Sequence, residues 1–396
     1  MADRLSAVLA KIVQKRKLFL FVVSVVYIAT AVLVYFVIND KNYDVTPRAV
    51  RHLGILLRSA IQKDLNKLRH DPDNASVVSP SVDRVGTKRD EGYSCEVKTE
   101  HEDLLCDVTP PKFLPDFKNP CWRESGHPLQ CLPYFQLIGV DKSGTTDLFY
   151  RLVRHPHVLS NRGYIGKETF WWAWKRYGDG SPIDFWDFRG WKDIPQNAGL
   201  RDPRVLTPHL INHVNPNTKF ILLLRNPIDR LYSDYFFLPI KRICSPESFH
   251  EAVSRSFGIL SSCLHSNTLR HCLFDKDLHQ HFNENARLNI GFYIVYLLEW
   301  LKVFPRRQFL ILRFEDYIND IPKYVNRVYR FLGLAPVSLQ QTAVLGIFSP
   351  IHENVTKKKV KARPMMNRTR EILKDIYQPF NVELSNILKN EDFLWS

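Results

Sequence analysis

Lys142-Ser143-Gly144-Thr145-Thr146 sets a cation, three hydroxyls and a glycine in five consecutive positions. An apolar run precedes the five residues and a helical pattern follows, so they form a loop where a strand hands over to a helix. Backbone N–H groups at a helix N-terminus lack helical partners and point at whatever lies in front of them. Gly144 lets the backbone come close and Lys142 adds a full charge, which makes the loop a cradle for an anion. The nucleotide-triphosphatase loop GxxxxGK[ST] shares the spacing of Gly139 and Gly144, but Thr145 stands where that loop has its lysine. A surface loop with a solvated lysine is the plain alternative.

A second pair suits a second phosphate. Arg225 directly follows the apolar run Lys219-Phe220-Ile221-Leu222-Leu223-Leu224, and Ser233 lies on the helical stretch after it. An arginine at the carboxyl end of a parallel strand sits on the edge where such sheets bind ligands. The alternative pairs Arg225 with Asp229 or Asp234 in a structural salt bridge. Trp171, Trp172, Trp174, Trp186 and Trp191 form an aromatic-rich stretch. Large aromatics belong to cores more often than to sugar sites, and these are assigned to the core first.

The elements that must position these groups alternate. Residues 134–140, 219–224 and 308–314 read as buried strands; 145–155, 228–237, 290–304 and 315–332, ending at Gly333, read as helices. This alternation predicts an α/β fold with a P-loop-like, mostly parallel sheet flanked by helices, preceded by a transmembrane helix and stem. Residues 18–38 carry no charge and are long enough to span a bilayer, with Arg4, Lys11, Lys15, Arg16 and Lys17 before them. The expected order is a cytosolic tail over 1–17, a signal-anchor over 18–38, a luminal stem over 39–112 and a luminal domain over 113–396. All seven cysteines lie beyond the anchor, as do sequons at Asn74, Asn354 and Asn367. Short-range spacing suggests the pairs Cys95–Cys106, Cys121–Cys131 and Cys263–Cys272, leaving Cys244 over. No CxxC or other metal-ligand spacing occurs, so no metal is expected. A net charge of +14 favours anionic partners, and in a lumen these are a phosphate-bearing donor and an anionic glycan rather than nucleic acid.

The Lys142 loop and the Arg225…Ser233 pair resemble the 5′-phosphosulfate and 3′-phosphate motifs of sulfotransferases that use 3′-phosphoadenosine-5′-phosphosulfate (PAPS). The resemblance runs over residues 133–395. Residues 118–122, 131–148, 167–172 and 369–388 are similar to the branch that adds a 6-sulfate to 4-sulfated N-acetylgalactosamine in chondroitin or dermatan sulfate. The resemblance implies a Golgi enzyme acting on a sulfated glycosaminoglycan, with PAPS held by Lys142, Ser143, Gly144, Thr145, Thr146, Arg225 and Ser233. Lys142 would also neutralise the departing bridging oxygen, and Glu168 would act as general base, its alternative being a surface pair with Lys167 or Arg176. Lys359 and Lys361 fall where related enzymes close a loop over the 3′-phosphate; the segment 357–363 equally suits an acceptor polyanion or plain solvation. His155 and His157 end the first helix and read as structural. Asp141 departs from the pattern, which has proline or another neutral residue there; an acid weakens phosphate binding unless it points outward. Another glycan acceptor or position, a non-catalytic glycan-binding relative, and a luminal kinase-like or phosphatase-like enzyme stay open as alternatives.

Overall fold

Three apolar runs become the central sheet. The computed structural model describes residues 103–160, 181–237, 244–335, 337, 346–348 and 363–396. A short antiparallel hairpin, β1 (Cys121–Trp122) with β2 (Gln130–Cys131), leads into β3 (Phe135–Gly139), and the Cys121–Cys131 disulfide ties the hairpin together. Next come α1 (Thr145–Leu152), α2 (Thr207–Val214), β4 (Lys219–Leu224) and α3 (Pro227–Phe237). Then follow α4 (Pro246–Leu264), α5 (Leu269–Phe274), α6 (Lys276–Glu284) and α7 (Tyr293–Leu301). The chain ends with β5 (Phe309–Arg313), α8 (Phe314–Asn319), α9 (Ile321–Leu332) and α10 (Asn367–Leu388). A second disulfide, Cys263–Cys272, joins α4 to α5.

The strands are parallel in the order β3-β4-β5, with Leu137 level with Ile221 and Ile221 level with Leu310. Side chains alternate across a strand, so one face carries Leu137, Ile221, Leu223, Leu310 and Leu312. That face packs on Leu148 and Leu152 of α1 and on Val325, Val328 and Leu332 of α9. On the other face Phe220 meets Trp300 at 5.0 Å, Phe304 at 4.7 Å and Phe309 at 4.9 Å between ring centroids. Both faces are covered, as continuous apolar strands require. Packing also extends before residue 113, where Leu104 and Leu105 pack with Val205 and Leu210.

Several expected boundaries move. The helix expected over 315–332 is two, because Asp320 breaks it: its carboxylate accepts from the Lys323 N–H at 3.1 Å and Pro322 lacks an N–H of its own. Gly333 then ends α9 in the left-handed region, as expected. The helix expected over 290–304 shortens to Tyr293–Leu301, with a 3-10 turn at Leu288–Gly291 ahead of it. Cys106 is disulfide-bonded, but the Cys95–Cys106 pairing falls on Cys95, outside the described residues. The span 18–38 lies outside them too; among the described residues no helix is long and apolar enough to cross a membrane.

Candidate functional site

The loop between β3 and α1 opens at the carboxyl edge of the sheet, where β4 also delivers Arg225. Gly144 caps α1 with φ +83°, a conformation that suits glycine, and a Cβ there would meet Phe314 Cε2 at 2.9 Å. Lys142 takes φ +62°, uncommon for a residue with a side chain. Arg225 accounts for its persistence: Nη1 donates to the Lys142 carbonyl at 2.9 Å, while the guanidinium lies 4.6 Å from the Phe314 ring centre. The two motifs are therefore joined directly. Ser143 is fully enclosed and its Oγ has no hydrogen-bond partner among the described residues. Thr145 is buried and Thr146 partly exposed on the first turn of α1.

Helix α3 starts where Asn226 Oδ1 accepts the Ile228 N–H at 3.0 Å, and Pro227 fits its first turn. Ser233 lies buried on this helix. The salt-bridge alternative for Arg225 is corrected. Asp229 pairs with Arg370 at 3.0 Å and Asp234 with Arg287, and among the described residues Arg225 bridges neither. Burial holds the Arg225 guanidinium below its usual range, with Asp229 and Glu315 opposing. Tyr293 Oη donates to the Arg225 carbonyl at 2.9 Å, and Glu315 accepts the Asn226 N–H at 2.8 Å.

The Lys142 ammonium lies 3.5 Å from the ring centre of Phe237, a half-exposed side chain. Burial lowers its pKa to about 8; Asp234 and Asp141 oppose that shift, and Arg225 and Arg287 add to it. Asp141 does not point outward: Trp186 Nε1 donates to its Oδ2 at 2.7 Å and Arg287 Nη2 lies 3.8 Å from its Oδ1. Sequence reasoning missed Arg287 and Phe237, and named Asp234 only as a salt-bridge partner for Arg225. Asp234 and Arg230 share a helical face at i and i+4, a signal that was legible. Nothing in the sequence links Arg287 to them.

Glu168, Lys359 and Lys361 lie outside the described residues, as do Trp171, Trp172 and Trp174. Trp186 and Trp191 are core side chains, the latter donating to the Phe274 carbonyl at 3.1 Å. From the basic segment Arg363 is described: its carbonyl accepts from Tyr232 Oη at 2.7 Å, beside Ser233, and its guanidinium pairs with Glu247 at 2.8 Å. His155 is buried at the far end of α1, with Nε2 3.1 Å from the Ala335 carbonyl and the His157 N–H donated to Nδ1, the structural role expected of both.

Residues 133–386 match the family described as Sulfotransferase domain. The chain is 30% identical to carbohydrate sulfotransferase 15 of Homo sapiens, over 73% of this chain and 66% of that protein's length. It is 28% identical to human heparan sulfate glucosamine 3-O-sulfotransferase 6, over 54% of this chain and 56% of the relative. Among solved structures, a sulfotransferase from Alicyclobacillus acidocaldarius aligns with a TM-score of 0.41 and 18% identity, covering 65% of this chain and 96% of the other.

Proposed function

Starting from a chain that belongs to the sulfotransferase-domain family, we propose that it transfers a sulfuryl group from PAPS to a hydroxyl of a glycosaminoglycan. The acceptor position that fits the sequence motifs is C6 of 4-sulfated N-acetylgalactosamine. One observation carries the donor reading: the Arg225 guanidinium and the Lys142 loop touch at 2.9 Å on the carboxyl edge of the sheet. The residues present fit such a donor, since the enclosed Ser143 hydroxyl lacks a partner among the described residues and a side chain at position 144 would press on Phe314.

PAPS, when bound, supplies the sulfuryl group and departs as adenosine 3′,5′-bisphosphate. Lys142, with the N–H and hydroxyl donors of Ser143 to Thr146, holds the 5′ end and offsets charge on the departing oxygen. Arg225 and Ser233 hold the 3′-phosphate. Lys359 and Lys361 join them from a segment whose end, Arg363, is fastened beside Ser233. Glu168 takes the proton of the attacking sugar hydroxyl as the new S–O bond forms. The uncharged span over 18–38 anchors the chain in the Golgi membrane with this domain in the lumen.

The test uses the detergent-solubilised full chain. It should be retained on immobilised adenosine 3′,5′-bisphosphate and move label from radioactive PAPS to chondroitin or dermatan sulfate, with disaccharide analysis showing a 4,6-disulfated unit. Label on heparan sulfate alone would move the acceptor assignment to the chemistry named for the 3-O-sulfotransferase relative. No retention and no transfer would end the proposal.

A further inference from the structure

The peptide unit that follows Arg225 is held at both of its polar atoms. Its carbonyl, that of Arg225, accepts from Tyr293 Oη at 2.9 Å. Its N–H, that of Asn226, donates to Glu315 Oε1 at 2.8 Å. Trp395 touches both holders: Nε1 donates to Glu315 Oε2 at 3.0 Å, and the ring meets Tyr293 edge-on with centroids 6.1 Å apart. The Glu315 carboxylate therefore links the indole to the peptide through two hydrogen bonds, one on each oxygen. The residue before it, Phe314, carries the Arg225 guanidinium 4.6 Å from its ring centre. The junction of β5 and α8 thus fixes the backbone and the side chain of Arg225 together.

The turn after α10 is built to deliver that indole. Lys389 ends the helix in the left-handed region at φ +52°, and Asn390 Oδ1 accepts the Asp392 N–H at 2.9 Å to start a 3-10 turn over Glu391–Leu394. Phe393 is buried and Asn381 Nδ2 donates to the Leu394 carbonyl at 3.4 Å, which anchors the turn. Trp395 then takes φ +48° and ψ +42°, a region that a bulky residue occupies only where its surroundings hold it there. Its ring also meets Phe393 edge-on at 5.4 Å. Packing alone does not account for this conformation, since Trp395 stays partly exposed while its N–H engages a carboxylate. Arg313 Nε lies 3.5 Å from the same Glu315 oxygen and Arg313 Nη1 donates to Asp316 at 2.9 Å, so the indole is the nearer donor.

We propose that Trp395, acting through Glu315 and Tyr293, is a positioning residue that sets the Arg225 guanidinium for the 3′-phosphate of the donor, which rests on reading Arg225 as the holder of that phosphate. A guanidinium at the end of a strand swings with its backbone unless the peptide is fixed. Here the peptide is fixed at its carbonyl and its N–H, and the fork lies on Phe314 with Nη1 on the Lys142 carbonyl. A fork held in this way loses less freedom when an anion arrives. The consequence is selective. Loosening Trp395 weakens recognition of the 3′-phosphate more than recognition of the 5′ end, which belongs to the Lys142 loop.

Equilibrium binding of the detergent-solubilised full chain to adenosine 3′,5′-bisphosphate and to adenosine 5′-monophosphate tests this, because the preference between them reports the 3′-phosphate. Trp395→Phe keeps a ring against Tyr293 and removes the indole N–H. The bisphosphate dissociation constant should rise about 3–10-fold, the scale of one hydrogen bond, while the monophosphate constant stays within about twofold. Glu315→Gln leaves one acceptor oxygen for two donors and should shrink the preference at least as much, which keeps the test decisive if the other variant folds poorly. In Arg225→Ala the preference should already be near its floor, and adding Trp395→Phe should not lower it further. Equal losses for both nucleotides in Trp395→Phe, or an unchanged bisphosphate constant, overturn the inference. A further fall in the double variant does the same. An unaltered chain that binds the two nucleotides equally, or binds neither, overturns the donor reading itself.

Discussion

At the amino-terminal edge of the sheet, Lys118 and Lys219 flank the ring of Tyr134 at 5.2 and 5.3 Å. Their ammonium groups donate to the Gly333 and Phe331 carbonyls at 2.6 and 2.7 Å. Those carbonyls finish α9, where a helix leaves acceptors over and its dipole is negative. At the carboxyl edge Lys142 also faces an aromatic ring, but among the described residues its ammonium donates to no acceptor. Both edges thus combine lysine and aromatic side chains, and the amino-terminal one opens a cavity of about 540 Å³ lined by Tyr134, Leu137, Phe149 and Leu332. The difference is satisfaction. Cations spent on helix-end carbonyls fasten structure, whereas a cation held in place without an acceptor, next to an enclosed hydroxyl without a partner, is set for an anion.

The comparison breaks most sharply at Lys142. Lys142→Ala and Arg225→Ala should each reduce transfer from PAPS by about 10²–10³-fold or more, the scale of losing a preorganised group that faces developing charge. Both should unfold at nearly the original temperature, because neither side chain fills the core. Retained transfer in Lys142→Ala would strip the carboxyl edge of its role. Glu168→Gln comes next: donor retention should persist while turnover falls about 10²-fold, the usual cost of a lost general base. Near-normal turnover there would remove Glu168 from the mechanism.

How far the sequence carried these assignments depended on the range of the contacts. Strands β3, β4 and β5 were legible because each is a short, mostly apolar run, and the loop because Lys142, Ser143 and Gly144 are neighbours in the chain. The split at Asp320 was hidden by apolar positions that keep helical spacing on both sides of it, although the Asp-x-Pro pattern of Asp320 and Pro322 marks a helix start. The charged cluster behind the loop was out of reach for another reason. Arg287 meets Asp234 from 53 positions away, and Trp186 meets Asp141 from 45, so folding alone brings them together. For the same reason the sequence could not show which way Asp141 points: Trp186 holds its carboxylate inward.

Acidity sharpens the contrast by a smaller amount. Burial first, and then Arg225 and Arg287, lower Lys142 to about 8 despite Asp234 and Asp141. On the proposed role of Lys142 the cation is the form that binds the donor, so binding competence is present below that value and lost above it. The kcat/KM for PAPS, which reports the free enzyme, should therefore be level with respect to this group at lower pH. It should fall about tenfold per unit above about 8. A rate still level at pH 10 would mean that Lys142 is not the titrating cation.

The smallest effect belongs to the opposite edge. Lys118→Ala deletes one hydrogen bond to the Gly333 carbonyl and one contact with Tyr134, both at an exposed side chain. Solvent screening keeps such contacts near the low end of their range, together about 1 kcal/mol. For a domain of this size that lowers the thermal midpoint by about 2–4 °C. Donor retention and transfer should stay within about twofold of the original, since the Gly333 carbonyl still reaches water and α9 keeps its left-handed glycine stop. A tenfold loss of transfer in this variant, with the midpoint hardly changed, would mean that a lysine already satisfied by backbone carbonyls still does chemistry. Satisfaction would then no longer separate the two edges, and the 540 Å³ cavity beside Tyr134 would take over as the place to look for the acceptor.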